Sequence, residues 1–281
     1  MSIMRKLREY LNRPLSFVMF LLIIISTVIT ALTVVFIIGY IFIKGVPNLS
    51  LDLFSLKYSS SNQSMLPSII NTVYLTALTL LLAVPIGIFS AIYLAEYSRK
   101  NSFFVKIINI ANETLSGIPS IVYGLFGFLA FVISKKWGYS LLAGVITLAI
   151  MVLPLIIRTS QEAMLGVDNT FREASYGLGA GKLRTVFKIV LPSAMPGILS
   201  GIILAIGRIV GETAALIYTA GTVPEAATKL TSSSRTISVH LYCLLNEGLY
   251  TEQAYATAVV LIVFVVIINA LSNALAKKII K

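Results

Sequence analysis

One cysteine, one histidine and one tryptophan occur in 281 residues. With Cys243 alone, an intrachain disulfide and a cluster of cysteine metal ligands are both excluded. His240 sits three residues away, and two soft ligands without a third make no metal site. Charge is equally scarce: 12% of residues are charged against 57% hydrophobic, and mean hydropathy is +0.92. Such a chain lacks the polar surface to cover a soluble globule. Ten-residue segments of alternating polarity, the mark of a membrane barrel, are also missing. What remains is an all-α membrane protein, since spanning backbone must satisfy its hydrogen bonds within itself.

Six apolar stretches are long enough to cross a bilayer as helices, at about 16–43, 69–95, 115–134, 139–157, 197–221 and 255–275. The first follows Arg5, Lys6, Arg8 and Arg13 but runs far past a signal-peptide core and shows no small-residue cleavage site, so it reads as a retained span. Alternate loops divide the cations unequally. One side carries Arg5, Lys6, Arg8, Arg13, Arg99, Lys100, Lys106, Arg158, Arg172, Lys182, Arg184, Lys188, Lys277, Lys278 and Lys281; the other has only Lys44, Lys57, Lys135, Lys136, Lys229 and Arg235. Both termini are therefore expected in the cytoplasm. On this reading 1–15 is a basic N-terminus, 44–68 an external loop, 69–275 a transmembrane core with a cytoplasmic loop at 159–195, and 276–281 a basic tail. The net charge of +11 suits the anionic inner leaflet of a bilayer and calls for no nucleic acid.

The most polar interruption of the apolar pattern is residues 172–192, REASYGLGAGKLRTVFKIVLP. Its GLGAGK segment is not a phosphate cradle: a P-loop needs Gly five residues before Gly181, where Tyr176 stands, and Ser or Thr after Lys182, where Leu183 stands. No ATPase, no enzyme chemistry and no cofactor site is expected in this chain. The segment reads instead as two short helices joined by a turn. Glu173 would complement the dipole near the start of the first, Gly177, Gly179 and Gly181 would make the turn, and Leu183, Val186, Phe187 and Val190 would pack the second. Pro192 and Pro196 would mark a break before the fifth span.

Glu173, Ala174, Ser175, Gly179, Ile189, Leu191 and Pro192 have a spacing similar to the coupling loop of bacterial ABC-importer permeases, with Ser175 where that family has its second Ala. SGIPSIVYGLFG, IIRTSQEAM, this loop and GRIVGETAALIYTAG, in that order across 116–221, resemble the permease subunits of the high-affinity phosphate ABC importer, the PstA type more than the PstC type. The resemblance implies six transmembrane helices of type I ABC-importer architecture in a bacterial inner membrane. It implies as partners a PstC-type permease, two copies of a PstB-type ATPase and an external phosphate-binding protein. It also implies a place for Arg158, Arg208 and Glu212 in phosphate passage.

The residues themselves leave alternatives open. Arg208 and Glu212, four apart in a run otherwise uncharged from Pro196 to Val223, would share one helical face and either neutralise each other or face a pathway. A guanidinium suits a tetrahedral oxyanion through bidentate bonds, and a carboxylate could accept the proton that hydrogen phosphate carries and sulphate lacks. Arg158 is as readily explained by snorkelling as by substrate contact. Gly117 and Pro119 should break span three, while Tyr123, Gly124 and Gly127, like Pro85 and Gly87 in span two, permit close packing. The stretch 222–254 is long enough for a short amphipathic helix around Ile237–Leu245, either docking the binding protein or forming plain surface. Sulphate or molybdate would fit the same architecture; an ion-coupled carrier would often show inverted repeats, which are not found. If the loop docks a motor, Gly179→Asp should abolish uptake while leaving membrane insertion intact, and uptake at the native rate would refute the docking role.

Overall fold

The computed structural model describes residues 14–98 and 102–280. Arg5, Lys6, Arg8, Arg13, Arg99, Lys100 and Lys281, counted above toward the inner side, lie outside the described residues. Among those described no strand occurs, and the apolar runs become helices. Five are long and apolar enough to cross a membrane: α1 (Pro14–Gly45), α2 (Leu66–Ile92, extended by a π-helical turn over Tyr93–Tyr97), α5 (Leu141–Leu165), the stretch Lys182–Val210, and α11 (Thr251–Ile280). A sixth crossing comes from a bent pair, α3 (Phe103–Gly117) and α4 (Ser120–Gly127, followed by a π turn over Phe128–Ser134), whose axes differ by 100°.

The bend has a local cause at the place that Gly117 and Pro119 indicate. Pro119 has no N–H to continue the helix, and its ring holds Ile118 extended at φ −71°, ψ 131°. The Leu115 carbonyl at the end of α3 accepts a hydrogen bond of 2.8 Å from Tyr123 Oη across the break.

The fifth span differs more from expectation. Its helix begins at Lys182, fifteen residues before position 197, as α7 (Lys182–Thr185), passes through a π turn at Val186–Val190, and continues as α8 (Leu191–Val210). Pro192 and Pro196 therefore break nothing. Pro192 sits in the first turn of α8 immediately after the π turn, whose wider winding accommodates a residue that lacks a donor and crowds the carbonyl four positions back. The real break comes later, at Gly211–Thr213, before the short α9 (Ala214–Thr219).

Helix α5 is the centre of the bundle. Leu148, Met151, Val152 and Ile156 pack with Leu75 and Ala83 of α2, Ala205 and Ile209 of α8, and Ala215 and Leu216 of α9. Lipid is as apolar as these side chains, so close backbone approach has to hold the helices together. At Gly124 an added Cβ would stand 2.8 Å from the Ala215 Cα, which is why α4 and α9 can cross there. Helix α1 is exposed along almost all its length and meets α11 at Gly45, against Tyr255 and Val259.

The stretch between α9 and α11 folds back onto the bundle. Asn71 of α2 holds it on both sides: Nδ2 donates to the carbonyls of Glu225 (2.9 Å) and Arg235 (3.2 Å), and Oδ1 accepts from Ala227 N (2.8 Å). Ile237 N donates to Thr72 Oγ1, and Ser238 Oγ donates to the Val210 carbonyl. The helix expected near Ile237–Leu245 is present as α10 (Ile237–Glu247), capped by Thr236 and ended by Gly248 at φ +69°. Arg235 just before this helix and His240 within it are buried, the guanidinium carbon 4.8 Å from the Tyr58 ring centroid and the imidazole edge-on to the same ring.

Among the described residues neither ring nitrogen of His240 makes a hydrogen bond of good geometry, although the Gln63 backbone lies near enough to favour the charged form weakly. Burial first, and the Arg235 charge second, push the imidazole down to about 3 from its ordinary 6.5. The unfolded chain takes up this proton near pH 6.5 and the folded chain does not, so stability present above that pH is lost as pH falls toward about 3. The thermal midpoint of purified protein should fall steadily from pH 6.5 to about 4, and His240→Leu should flatten the slope. An unaltered slope in the variant would show that other groups carry the pH dependence.

Candidate functional site

The polar segment between α5 and α8 folds as a helical hairpin. Its first arm is α6 (Asn169–Gly177), and Asp168 caps it, accepting from Thr170 N and Thr170 Oγ1 at 2.9 Å each. These bonds, the backbone one foremost, hold the Asp168 carboxyl below the usual carboxylate range. Glu173 is thus not at the helix start: it lies mid-helix and exposed, and the dipole is complemented by Asp168 instead. Of the three glycines, only Gly179 needs its freedom, at φ +82°.

The second arm, α7 and its π turn, returns into the bundle. Val186 and Val190 are buried against Ala91 and Ile92 of α2, Met164 of α5, and Ala194 and Ile198 of α8. Leu183 and Phe187, expected on the same packed face, are 66% and 40% exposed and leave the hairpin with an apolar outer surface together with Leu178 at 89%. Ala174 and Pro192 are exposed, while Ile189 and Leu191 are half-buried. Ser175 is buried, and its Oγ shares a 2.8 Å hydrogen bond with Thr185 Oγ1, so the hydroxyl that replaces the family's methyl ties the two arms together.

Arg172 was read from sequence only as one inner cation among many, yet it anchors the hairpin. Its Nε and Nη2 donate to Glu96 Oε1 at 3.1 and 2.7 Å, Nη1 donates to the Val167 carbonyl (2.7 Å) and Asn169 Oδ1 (3.3 Å), and Nη2 reaches the Met164 carbonyl (2.8 Å). Both side chains are largely shielded from solvent, at 13% and 6% exposure. One guanidinium thereby joins α6, the end of α5 and the π turn that ends α2.

The intramembrane charges are arranged otherwise than their spacing implied. Because α8 ends at Val210, Arg208 and Glu212 do not share a helical face, and no ion pair joins them among the described residues. Glu212 is buried and its Oε1 accepts from Ala215 N at 3.0 Å, capping α9. Arg208 instead faces a pocket of about 710 Å³ lined by Leu155, Ser200, Ile203, Leu204, Gly207, Asn269 and Asn273. Arg158 is in a different place, a cleft of about 200 Å³ with Asn109, Asn112, Glu113 and Gln161, and its Nε donates to Glu162 Oε1 at 2.9 Å. Ser200, Asn269 and Asn273 were missed because they are hidden in apolar runs; only the i, i+4 spacing of the two asparagines could have pointed to a common face.

A helical bundle of five or six crossings, with a hairpin projecting before its fifth helix and a cationic pocket beside the same helix, defines a multi-pass membrane permease. The chain belongs to the family of binding-protein-dependent transport system inner membrane components, whose profile matches residues 83–281. Among its relatives, a probable ABC transporter permease protein, YqgI of Bacillus subtilis, is 32% identical over 249 residues, covering 82% of this chain and 84% of the relative. The phosphate transport system permease protein PstA of Haemophilus influenzae is 35% identical over 218 residues, 77% of each chain. The fold is shared with a chain of a bacterial ABC transporter involved in import of the acidic polysaccharide alginate, at a TM-score of 0.67 and 18% identity over 99% of this chain and all of that one. It is also shared with the MetNI methionine ABC transporter in inward facing conformations, at 0.57 and 16% identity over 76% of this chain and 93% of that one. This protein is thus an ABC-importer permease subunit with PstA relatives.

Removing one member of a fully buried ion pair costs about 3–5 kcal/mol, an upper bound for this largely shielded pair. Arg172→Met should therefore lower the thermal midpoint sharply, and Glu96→Gln, which keeps an acceptor for the guanidinium, should lower it less. Ser175→Ala should change it little, because Thr185 Oγ1 keeps the Gly181 carbonyl. Equal midpoints for all three variants would show that Arg172 is not the anchor.

Proposed function

We propose that this chain is the PstA-type permease of an ATP-driven importer of inorganic phosphate in the bacterial cell membrane. Its partners in this reading are a PstC-type permease, two copies of a PstB-type ATPase and an external phosphate-binding protein. The observation that carries the substrate is Arg208: a guanidinium without an ion-pair partner among the described residues, in a pocket whose lining residues include no carboxylate. Such a site favours a tetrahedral oxyanion through bidentate, charge-assisted bonds, and the PstA relatives point to phosphate among the oxyanions.

In this reading the termini and the hairpin face the cytoplasm, and Glu173, Ala174, Ser175, Gly179, Ile189, Leu191 and Pro192 belong to the coupling loop that meets the ATPase. The exposed Leu178, Leu183 and Phe187 supply apolar docking surface, and Asp168 and the Ser175–Thr185 bond keep the two arms rigid. Motion of the hairpin passes into the bundle by two routes. One is the Arg172–Glu96 pair, which drags the ends of α2 and α5. The other is direct: Lys182–Val210 is one helical path of 29 residues, about 40 Å at 1.5 Å per residue, with the docking surface at one end and Arg208 at the other. Closure of the ATPases on ATP would tilt that lever and open the pocket alternately to the two sides. Glu212 acts through position, fixing α9 where the lever ends, and Arg158 would meet the anion at the inner end of the route after leaving Glu162.

Phosphate-starved cells lacking the gene test this through uptake of radiolabelled phosphate with excess sulphate present. The native chain should restore sulphate-resistant uptake, Arg208→Ala should lose about 10- to 100-fold, as expected for hydrogen bonds to a charged group, and Arg208→Lys should fall between. Uptake suppressed by sulphate would turn the assignment to another oxyanion, and a fully active, well-expressed Arg208→Ala would remove Arg208 from the route.

A further inference from the structure

Arg208 has two neighbours in its pocket that sequence reading did not single out, Asn269 and Asn273 of α11. They are one helical turn apart and so present their amides on the same face. Asn269 is half-buried and Asn273 exposed, and among the described residues neither amide has a hydrogen-bond partner. Both belong to the apolar span Thr251–Lys278, and an asparagine in a membrane helix ordinarily bonds across to a neighbouring helix. Here both line a cavity of about 710 Å³ with the Arg208 guanidinium, which has no ion-pair partner among the described residues. Ser200, on the opposite wall, already donates its hydroxyl hydrogen to the Pro196 carbonyl and has only acceptor capacity to spare.

Arginine alone cannot distinguish one oxyanion from another of the same shape, because it has five donors and no acceptor. Hydrogen phosphate and dihydrogen phosphate each keep at least one P–O–H group near neutral pH, whereas sulphate has none. Recognition of that proton requires an acceptor in the pocket. Glu212 does not supply it, since it is not in the lining and its Oε1 is engaged by Ala215 N, and the Ser200 hydroxyl can accept that hydrogen but has none left to donate to a phosphoryl oxygen. An asparagine amide supplies both halves: its NH2 donates to a phosphoryl oxygen, and its carbonyl accepts the P–OH hydrogen.

Resting on the phosphate reading above, we infer that Asn269 and Asn273 contact the substrate beside Arg208 and make the permease itself select for a protonated oxyanion. With sulphate in the same place the amide carbonyl would face an anionic oxygen with no hydrogen between them. A site built to bond a substrate hydroxyl rejects an analogue without one far more strongly than an apolar site can.

The test uses the whole importer in liposomes, this chain with its partner permease, ATPases and external binding protein, and reads initial uptake of radiolabelled inorganic phosphate per assembled complex. Asn269→Leu and Asn273→Leu keep side-chain size and remove both hydrogen-bonding groups. Each should lower the maximal rate about tenfold, the loss of one hydrogen bond to a charged group, with the half-saturating concentration of phosphate-loaded binding protein unchanged. Asn269→Ser, which retains a donor and an acceptor, should keep most of the rate. Asn269→Asp, which places a carboxylate beside Arg208 and the anion, should lose as much as the leucine variant or more. Leucine variants at the native rate overturn the inference, as do serine and leucine variants impaired alike. If the leucine variants fail to assemble, the other pair decides: serine active and aspartate impaired supports the inference, and the two alike overturns it. A native importer that moves sulphate or molybdate but not phosphate overturns the functional reading itself; one that moves phosphate as well with leucine as with asparagine overturns only the role of the asparagines.

Discussion

The buried contact between Arg172 and Glu96 is the joint on which the arrangement of the hairpin and the bundle depends. Three elements end at nearly the same point: α2 in a π turn, α5 near Met164, and α6 in its first turns. The turn between α5 and α6 offers the Met164 and Val167 carbonyls, the first of which also accepts from Val167 N, and a largely buried carboxylate is costly to desolvate. One guanidinium serves both, since it reaches the Met164 and Val167 carbonyls and Glu96 together. Attraction between the charges alone would roughly balance their desolvation; the added backbone bonds are what make the geometry favourable. A hairpin held this way moves with α2 and α5 rather than independently of them.

The charges near the end of the fifth span follow a related economy. Arg208 lies in the last turn of α8, where the exposed carbonyl end of the helix favours a cation, and Glu212 lies at the start of α9, where free N–H groups favour an anion. Each charge is settled by its own helix end rather than by the other. The break at Gly211–Thr213 is therefore what leaves Arg208 free of a carboxylate, and a continuous helix would have brought Glu212 beside it one turn on.

The sequence was informative where a signal is local. Long apolar runs give spans, Gly117 and Pro119 give the bend, and the length of 222–254 allows the helix expected around Ile237–Leu245, which is present as α10. It misled where two local rules compete. Pro192 and Pro196 are helix breakers by propensity, but a π turn just upstream accommodates Pro192 and α8 continues past Pro196, and no periodicity announces a π turn. Glu212 reads as a helical partner of Arg208 only while the helix is assumed to continue past Gly211. Distance in the chain hid the rest: Glu96 is 76 residues from Arg172, and Asn269 and Asn273 belong to Arg208 only once α11 packs on α8.

The two cationic sites differ in a way that gives the proposed route a direction. At Arg208 the lining contains no acid, so an anion there meets an uncompensated charge and neutral donors. At Arg158 the cleft holds Glu113 and Glu162, and the guanidinium is already paired, so an anion arriving there competes with a carboxylate at 2.9 Å and is repelled by another. Passage requires binding strong enough to draw the ion in and weak enough to let it leave. In the proposed route, an arginine free of a carboxylate followed by an exposed one paired with Glu162 would satisfy both conditions in order. Glu162 would then serve transport by weakening the site it partners, so that phosphate taken up at Arg208 is not held again before release.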